Sequence, residues 1–186
     1  MSRLKKAERQ AQLQDKLHQT PFVTDDELAA FFHVSVPTIR LDRLALGIPE
    51  VRERLRQMAE TNEGDSPVHT NHGGRGILID ISAGQSGILF LRTTEDMLDV
   101  SGYVDPQYLY GEAHNLAKQV IGLPAVMSGV GNIKYKKPVR AGHELVAKAE
   151  VVRHRGDKFF IWVFVTDKGE EIFRAKFIME TLENKV

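Results

Sequence analysis

Cysteine is absent from the chain, which excludes disulfides, thiolate nucleophiles and cysteine-ligated metals. No run approaches the roughly 20 apolar residues that a membrane-spanning helix needs. The N-terminus is charged and amphipathic and lacks the apolar core of a signal peptide, so a cytoplasmic protein without a membrane partner is expected. An excess of charge is missing too: 25 Lys and Arg balance 25 Asp and Glu. That balance argues against a chain whose whole surface binds nucleic acid. What remains is a globular composition, 42% hydrophobic over 186 residues, enough for one or two small domains.

The neutral total hides an uneven distribution. Residues 1–20 hold Arg3, Lys5, Lys6, Arg9 and Lys16 against Glu8 and Asp15. Such an arm either follows phosphates and reaches into a minor groove or forms the solvated face of a helix. Leu4, Ala7, Ala11, Leu13 and Leu17 recur at loose helical spacing up to His18, and Pro21 should end that helix.

The next stretch carries the most specific pattern. Thr24 followed by Glu27 reads as a capping box, with Leu28, Ala29 and Phe32 on one helical face and the helix ending near His33. Val34 plugs the turn, Ser35 caps a second helix, and Pro37 sits in its first turn, where backbone amides have no intrahelical partner. Ile39, Leu41, Leu44 and Leu46 are expected to pack inward. Two helices joined in this way form a helix-turn-helix, whose second helix enters the major groove of DNA. Ser35, Val36, Pro37, Thr38, Arg40 and Arg43 are then the residues placed to meet base edges and phosphates.

Downstream, Pro49 opens an amphipathic segment with Val51, Leu55 and Met58 as its apolar stripe. Thr61–Arg75 is polar and Gly-, Asn- and Ser-rich, a linker without periodicity. The expected organisation is residues 1–47 as a DNA-binding domain, 48–75 as a linker helix and flexible linker, and 76–186 as a second domain. That second domain changes to strand patterns. Ile77–Ile81 and Gly87–Leu91 flank a turn, Pro106–Ile121 is a helix capped by Asp105, and Ala125–Tyr135, Glu144–His154, Lys158–Asp167 and Glu171–Thr181 are long strands. One helix wrapped by an antiparallel sheet is the α+β hot-dog architecture. Phe159–Val165 is nearly all apolar, which predicts burial on both faces or a dimer contact.

In this order of elements the chain resembles the fatty-acid and phospholipid biosynthesis repressors of Gram-positive bacteria (FapR-like). The resemblance rests on Val34-Ser35, Thr38-Ile-Arg-Leu-Asp-Arg-Leu44 and Ile48-Pro-Glu50, with support from Val146-Ala-Lys-Ala149, Phe177 and Met179. It implies a homodimer on a palindromic double-stranded operator, released when malonyl-CoA or a related acyl-CoA enters a tunnel beside the hot-dog helix. It also implies no cofactor beyond that effector. Leu98, Asp105, Pro106, Gly111, His114, Asn115 and Lys136 are its candidate ligand contacts. One departure stands out: Asp105 occupies the position of an arginine that pairs with the malonyl carboxylate in that family. A carboxylate there repels another. Either another cation serves (Arg92, Lys136 and Arg140 are candidates) or the acyl group differs.

Hot-dog domains also occur as thioesterases and dehydratases, so an acyl-CoA thioesterase-like enzyme fused to a helix-turn-helix is the alternative. Asp105, Glu112 and His114 lie at the central helix, where such enzymes hold a carboxylate. Glu112 and His114, two apart on a helix, point in different directions, and capping accounts for Asp105. The linker histidines His69 and His72 lack a scaffold for a metal site, and no metal is expected.

Overall fold

The computed structural model describes residues 5–20, 23–62 and 74–182. The expected helix stop at Pro21 and most of the linker, with His69 and His72, lie outside the described residues. The chain divides into two compact units, Met1–Glu60 and Thr61–Val186, each with its own apolar core.

The first unit is helical: α1 (Lys6–Gln19), α2 (Asp25–Phe32), α3 (Val36–Ala45) and α4 (Val51–Asn62). Leu13 and Leu17 of α1, Leu28, Ala29 and Phe32 of α2, and Ile39 of α3 form the core, with Val34, Leu46 and Ile48 packed against it. The capping box closes as expected. Thr24 Oγ1 accepts from the Glu27 amide at 3.2 Å, and Glu27 accepts from the Thr24 amide at 2.8 Å. His33 ends α2 in the left-handed region, φ 53°, which sets the sharp turn into α3. Ser35 stands at the N-cap of α3, but its hydroxyl meets the Thr38 hydroxyl at 2.9 Å rather than a backbone amide.

Leu41 and Leu44 correct one expectation. They are 67% and 74% exposed, because Ile39, Asp42 and Arg43 occupy the inward face of α3. The ten-residue helix has one buried stripe, and residues two and five beyond Ile39 fall outside it.

The second unit is a six-stranded antiparallel sheet in the order β1-β2-β4-β5-β6-β3. Its strands are β1 (Ile77–Ser82), β2 (Ser86–Arg92), β3 (Ala125–Tyr135), β4 (Glu144–Arg155), β5 (Lys158–Asp167) and β6 (Glu170–Thr181). Lys168 and Gly169 both take positive φ, 50° and 82°, giving the tight β5–β6 turn whose twist suits a hairpin. The helix α5 (Pro106–Ile121) lies against one face and touches every strand. Leu109, Ala113, Leu116, Ala117 and Val120 are among its buried side chains. Gly87 permits the close approach: a Cβ there would stand 2.8 Å from Val120 Cγ2.

β5 alternates more strictly than its composition suggests. Phe159, Ile161, Val163 and Val165 are buried under α5, while Phe160, Trp162 and Phe164 are half-buried on the opposite face. Lys176 lies 4.0 Å from the Trp162 ring centroid, and Arg153 lies over Phe160. Cationic stems on aromatic faces cover part of that surface without a second layer. β3, at the sheet edge, exposes Val126, Met127 and Val130. A short 3-10 turn at Glu95–Met97 precedes α5 and has no counterpart in the sequence reading.

Candidate functional site

Two places in the molecule gather the candidate residues. On the helical unit, Ser35, Pro37 and Arg40 are exposed and Val36 and Thr38 are partly so, all at the N-terminal end of α3. Arg40 is 62% exposed at its side chain and lies 3.5 Å from Asp25, a carboxylate whose two oxygens already accept from Arg43. Lys5 and Lys6 are exposed at the start of α1. The geometry therefore leaves a basic, partly apolar helix end open to solvent.

Arg9 and Arg43 are different, and both correct the sequence reading. Arg9 is buried and its Nε donates to Asp42 at 2.6 Å; Gln10 donates to the other Asp42 oxygen at 2.9 Å. Arg43, 3% exposed at its side chain, donates to both Asp25 oxygens at 2.7 and 2.8 Å and to the Ile48 carbonyl at 3.1 Å. These guanidiniums tie α1 to α3, and α3 to α2 and to the turn before α4. Both guanidiniums are buried against carboxylates, away from the surface where phosphate or guanine would meet them.

Arg54 of α4 extends this framework, donating to the carbonyls of Val23, at 3.1 Å, and Pro49. Burial, with neighbouring Arg43, pulls its pKa down to about 10 while Asp25 opposes the shift. Met58, expected on the same stripe as buried Leu55, has a side chain outside the described residues.

In the second unit the candidates gather at α5. Asp105 is the N-cap, accepting from the Gln107 amide at 2.9 Å. Pro106 follows at the first helical position, and its carbonyl accepts from the Tyr135 hydroxyl at 3.3 Å. A cavity of about 220 Å³ opens along the helix, lined by Arg75, Gln107, Tyr108, Gly111, Glu112 and Asn115. Gly111 and Asn115 are thus brought together as expected. His114 is not: it clusters with Tyr110 and Phe177, ring centroids 6.2 and 5.9 Å away. Burial, then the nearby Lys118, lowers its pKa. Leu98 packs on the core and bridges to Val104.

The three cations suggested as replacements for the missing arginine do not line this cavity. Arg92 pairs with Glu144 at 3.3 Å, Lys136 with Glu171 at 2.7 Å, and Arg140 lies over the Tyr103 ring at 4.8 Å.

Arg75 and Tyr108 entered no candidate set from the sequence, and Glu112 entered only as a catalytic candidate. Glu112 is 5% exposed; one carboxylate oxygen accepts from the Arg75 amide, and the other, Oε2, is buried without a hydrogen-bond partner. Burial raises its pKa, with the Arg75 and Gly76 amides opposing. The available signal was its place: Leu109, Glu112 and Leu116 share one face of α5, so a carboxylate sits in an apolar stripe. Among the described residues no group of three or more His, Asp or Glu side chains is arranged to hold a metal.

No protein-family profile matches the chain. Among solved structures, an uncharacterised Pyrococcus horikoshii protein is similar with a TM-score of 0.56 at 28% identity, over 63% of this chain and 95% of that one. A variant of the phenylacetic acid degradation protein PaaI from Thermus thermophilus gives 0.54 at 20% identity, over 57% and 93%. These likenesses span much of the second unit's length and show the hot-dog fold. The transcription factor FapR of Caldanaerobacter subterraneus subsp. tengcongensis is 52% identical over 184 residues, 97% of this chain and 91% of that protein. With a relative that similar along nearly its whole length, helical unit and hot-dog unit together, the chain belongs to the FapR family of transcription factors.

Proposed function

We propose that the chain is a cytoplasmic, homodimeric repressor of fatty-acid and phospholipid biosynthesis genes. It binds a palindromic operator through α3 and is released by malonyl-CoA or a related acyl-CoA held beside α5. The observation that carries this reading is the division of labour on α3. Asp42 and Arg43 face inward and lock the helix, while Ser35, Pro37 and Arg40 stay open at the end that meets DNA. The exposed edge strand β3, 11 residues long with Val126, Met127 and Val130 uncovered, favours pairing with a second copy. Two copies match the two half-sites of a palindrome.

Ligand sensing without turnover fits the central helix. Asp105 is engaged as a cap, and His114 is packed against the Tyr110 and Phe177 rings. A mobility-shift titration tests the reading: a palindromic operator should be bound, and malonyl-CoA should release it and be recovered unhydrolysed. Arg40→Ala should cost about 1–3 kcal/mol of specific affinity if Arg40 reads a base. Hydrolysis of the thioester, or operator binding indifferent to every acyl-CoA tried, would overturn the sensor reading.

A further inference from the structure

Leu41 and Leu44 have no part in the core of the helical unit. Among its described residues they are the most exposed large apolar side chains, at 67% and 74%. Phe31, the next, has Lys16 over its ring at 5.1 Å. A single exposed leucine is ordinary, but these two share a face. At 3.6 residues per turn, Pro37, Arg40, Leu41 and Leu44 fall within about 100° of arc, and all four are exposed. Ile39, Asp42 and Arg43 hold the opposite side of α3 in the core. The outward stripe is therefore apolar with one cation, and the paired hydroxyls of Ser35 and Thr38 stand at its N-terminal end.

The charge around this stripe fits an anionic partner. The first turn of α3 holds no acidic residue, whereas that of α2 holds Asp25, Asp26 and Glu27. The one carboxylate on α3, Asp42, is turned inward to Arg9. Whatever approaches α3 from outside meets Arg40, the positive end of the helix dipole and two leucines, with no negative charge from the helix itself. The major groove of duplex DNA is about 12 Å wide, admits a helix, and presents one apolar group on its floor, the C5-methyl of thymine.

We propose that Leu41 and Leu44 read thymine methyls in the major groove, with Pro37 extending the apolar contact and Arg40 supplying the charged contact beside them. This rests on the operator-binding reading given above. From Pro37 to Leu44 the helix rises about 10 Å, the length of about three base-pair steps, so the stripe covers one short block of each half-site. Leucine has no donor or acceptor with which to tell base edges apart. Its selectivity comes from burying a methyl that only thymine carries. A cytosine in the same place would lack that methyl and would press its N4 amine against an apolar side chain, where it loses water without gaining an acceptor.

Replacing thymine by deoxyuridine removes the methyl and leaves every base-edge donor and acceptor in place. The probe is a duplex enriched from a random pool by the full-length wild-type chain, compared by fluorescence anisotropy with a copy carrying deoxyuridine at every thymine. The wild type should bind the deoxyuridine copy more weakly, by about fourfold for each methyl covered. Leu41→Ala with Leu44→Ala should bind the thymine duplex more weakly than the wild type does and should bind the two duplexes alike. Both side chains are on the surface, so this variant should keep the helical unfolding transition by circular dichroism; the wild-type comparison needs no variant at all. A wild type that binds both duplexes equally overturns the proposal, as does discrimination that survives in the double variant; in both cases the operator-binding reading stands. A double variant that still discriminates but sediments as a smaller species assigns the leucines to a contact between two copies of the chain instead. Failure to enrich any duplex overturns both readings.

Discussion

Removing the carboxylate of Asp42 should unfold the DNA-binding unit while leaving the hot-dog unit intact. Asp42 and Arg9 are 2% and 9% exposed at their side chains and 2.6 Å apart, and Gln10 also donates to Asp42. In Asp42→Ala the guanidinium of Arg9 stays buried without a counter-ion, and breaking such a pair costs about 3–5 kcal/mol. A unit of this size has a total stability of about 3–9 kcal/mol, taking ~0.05–0.15 kcal/mol per residue, so a single substitution uses up much or all of it. Four of the five α-helices among the described residues begin in this unit, whereas the single tryptophan, Trp162, is in β5. Urea titrations followed by far-ultraviolet circular dichroism and by Trp162 fluorescence should therefore separate. The main helical transition moves to low denaturant and the fluorescence transition stays. Replacing both partners, Arg9→Met with Asp42→Leu, should restore the helical transition or raise it. A loss below about 1 kcal/mol in Asp42→Ala would refute the argument that Arg9 depends on this carboxylate. The double variant should also keep the salt dependence of operator binding. A fall in slope of about 0.9 would return Arg9 to the phosphates.

Thr24→Ala removes the cap of α2 and should cost about 0.5–2 kcal/mol in the helical transition. Gly87→Ala should lower hot-dog stability by about 1–3 kcal/mol, read from Trp162 unfolding, because the added methyl meets Val120 and Leu116 at 2.8 and 3.1 Å. The raised pKa of Glu112 means the folded state holds that proton more tightly than the unfolded chain does. Its contribution to stability is full below the ordinary glutamate range and is lost as pH rises through the folded-state value. Glu112→Gln should flatten that decline as pH rises above the ordinary glutamate range, measured as the urea midpoint of Trp162 fluorescence; an unchanged slope would show that Glu112 does not titrate there.

The elements were legible in the sequence because each had a local cause. Asp105 before Pro106 starts α5, Gly122 in the left-handed region ends it, and Lys168-Gly169 makes its turn without help from distant residues. The partners of the arginines were less legible, since Arg9 meets Asp42 across 33 positions and Arg43 meets Asp25 across 18. The helical period nevertheless held a warning. Arg9, Leu13 and Leu17 are spaced by four and share a face, so Arg9 faces the same core as the leucines. Ile39 with Asp42 and Arg43 repeats the pattern on α3. Reading every cation beside a helix-turn-helix as a DNA contact overlooks that its scaffold also needs ions. The cavity was hidden for another reason. Arg75 closes the linker-like run in sequence, and only the fold brings it against α5, 37 positions away from Glu112.

The two separate cores have a consequence for how this regulator fails under heat. The helical unit relies on a small apolar cluster and buried ion pairs, while the hot-dog unit has the far larger core. A domain of some 60 residues buries a smaller share of its surface than a larger one and is correspondingly marginal. Bound effector would stabilise only the unit that holds it, since ligand stabilises the form it binds. As temperature rises, the grip on the operator is then the first activity to go. The regulator defaults to transcription with its hot-dog half still folded, and recovery needs only one small helical unit to refold.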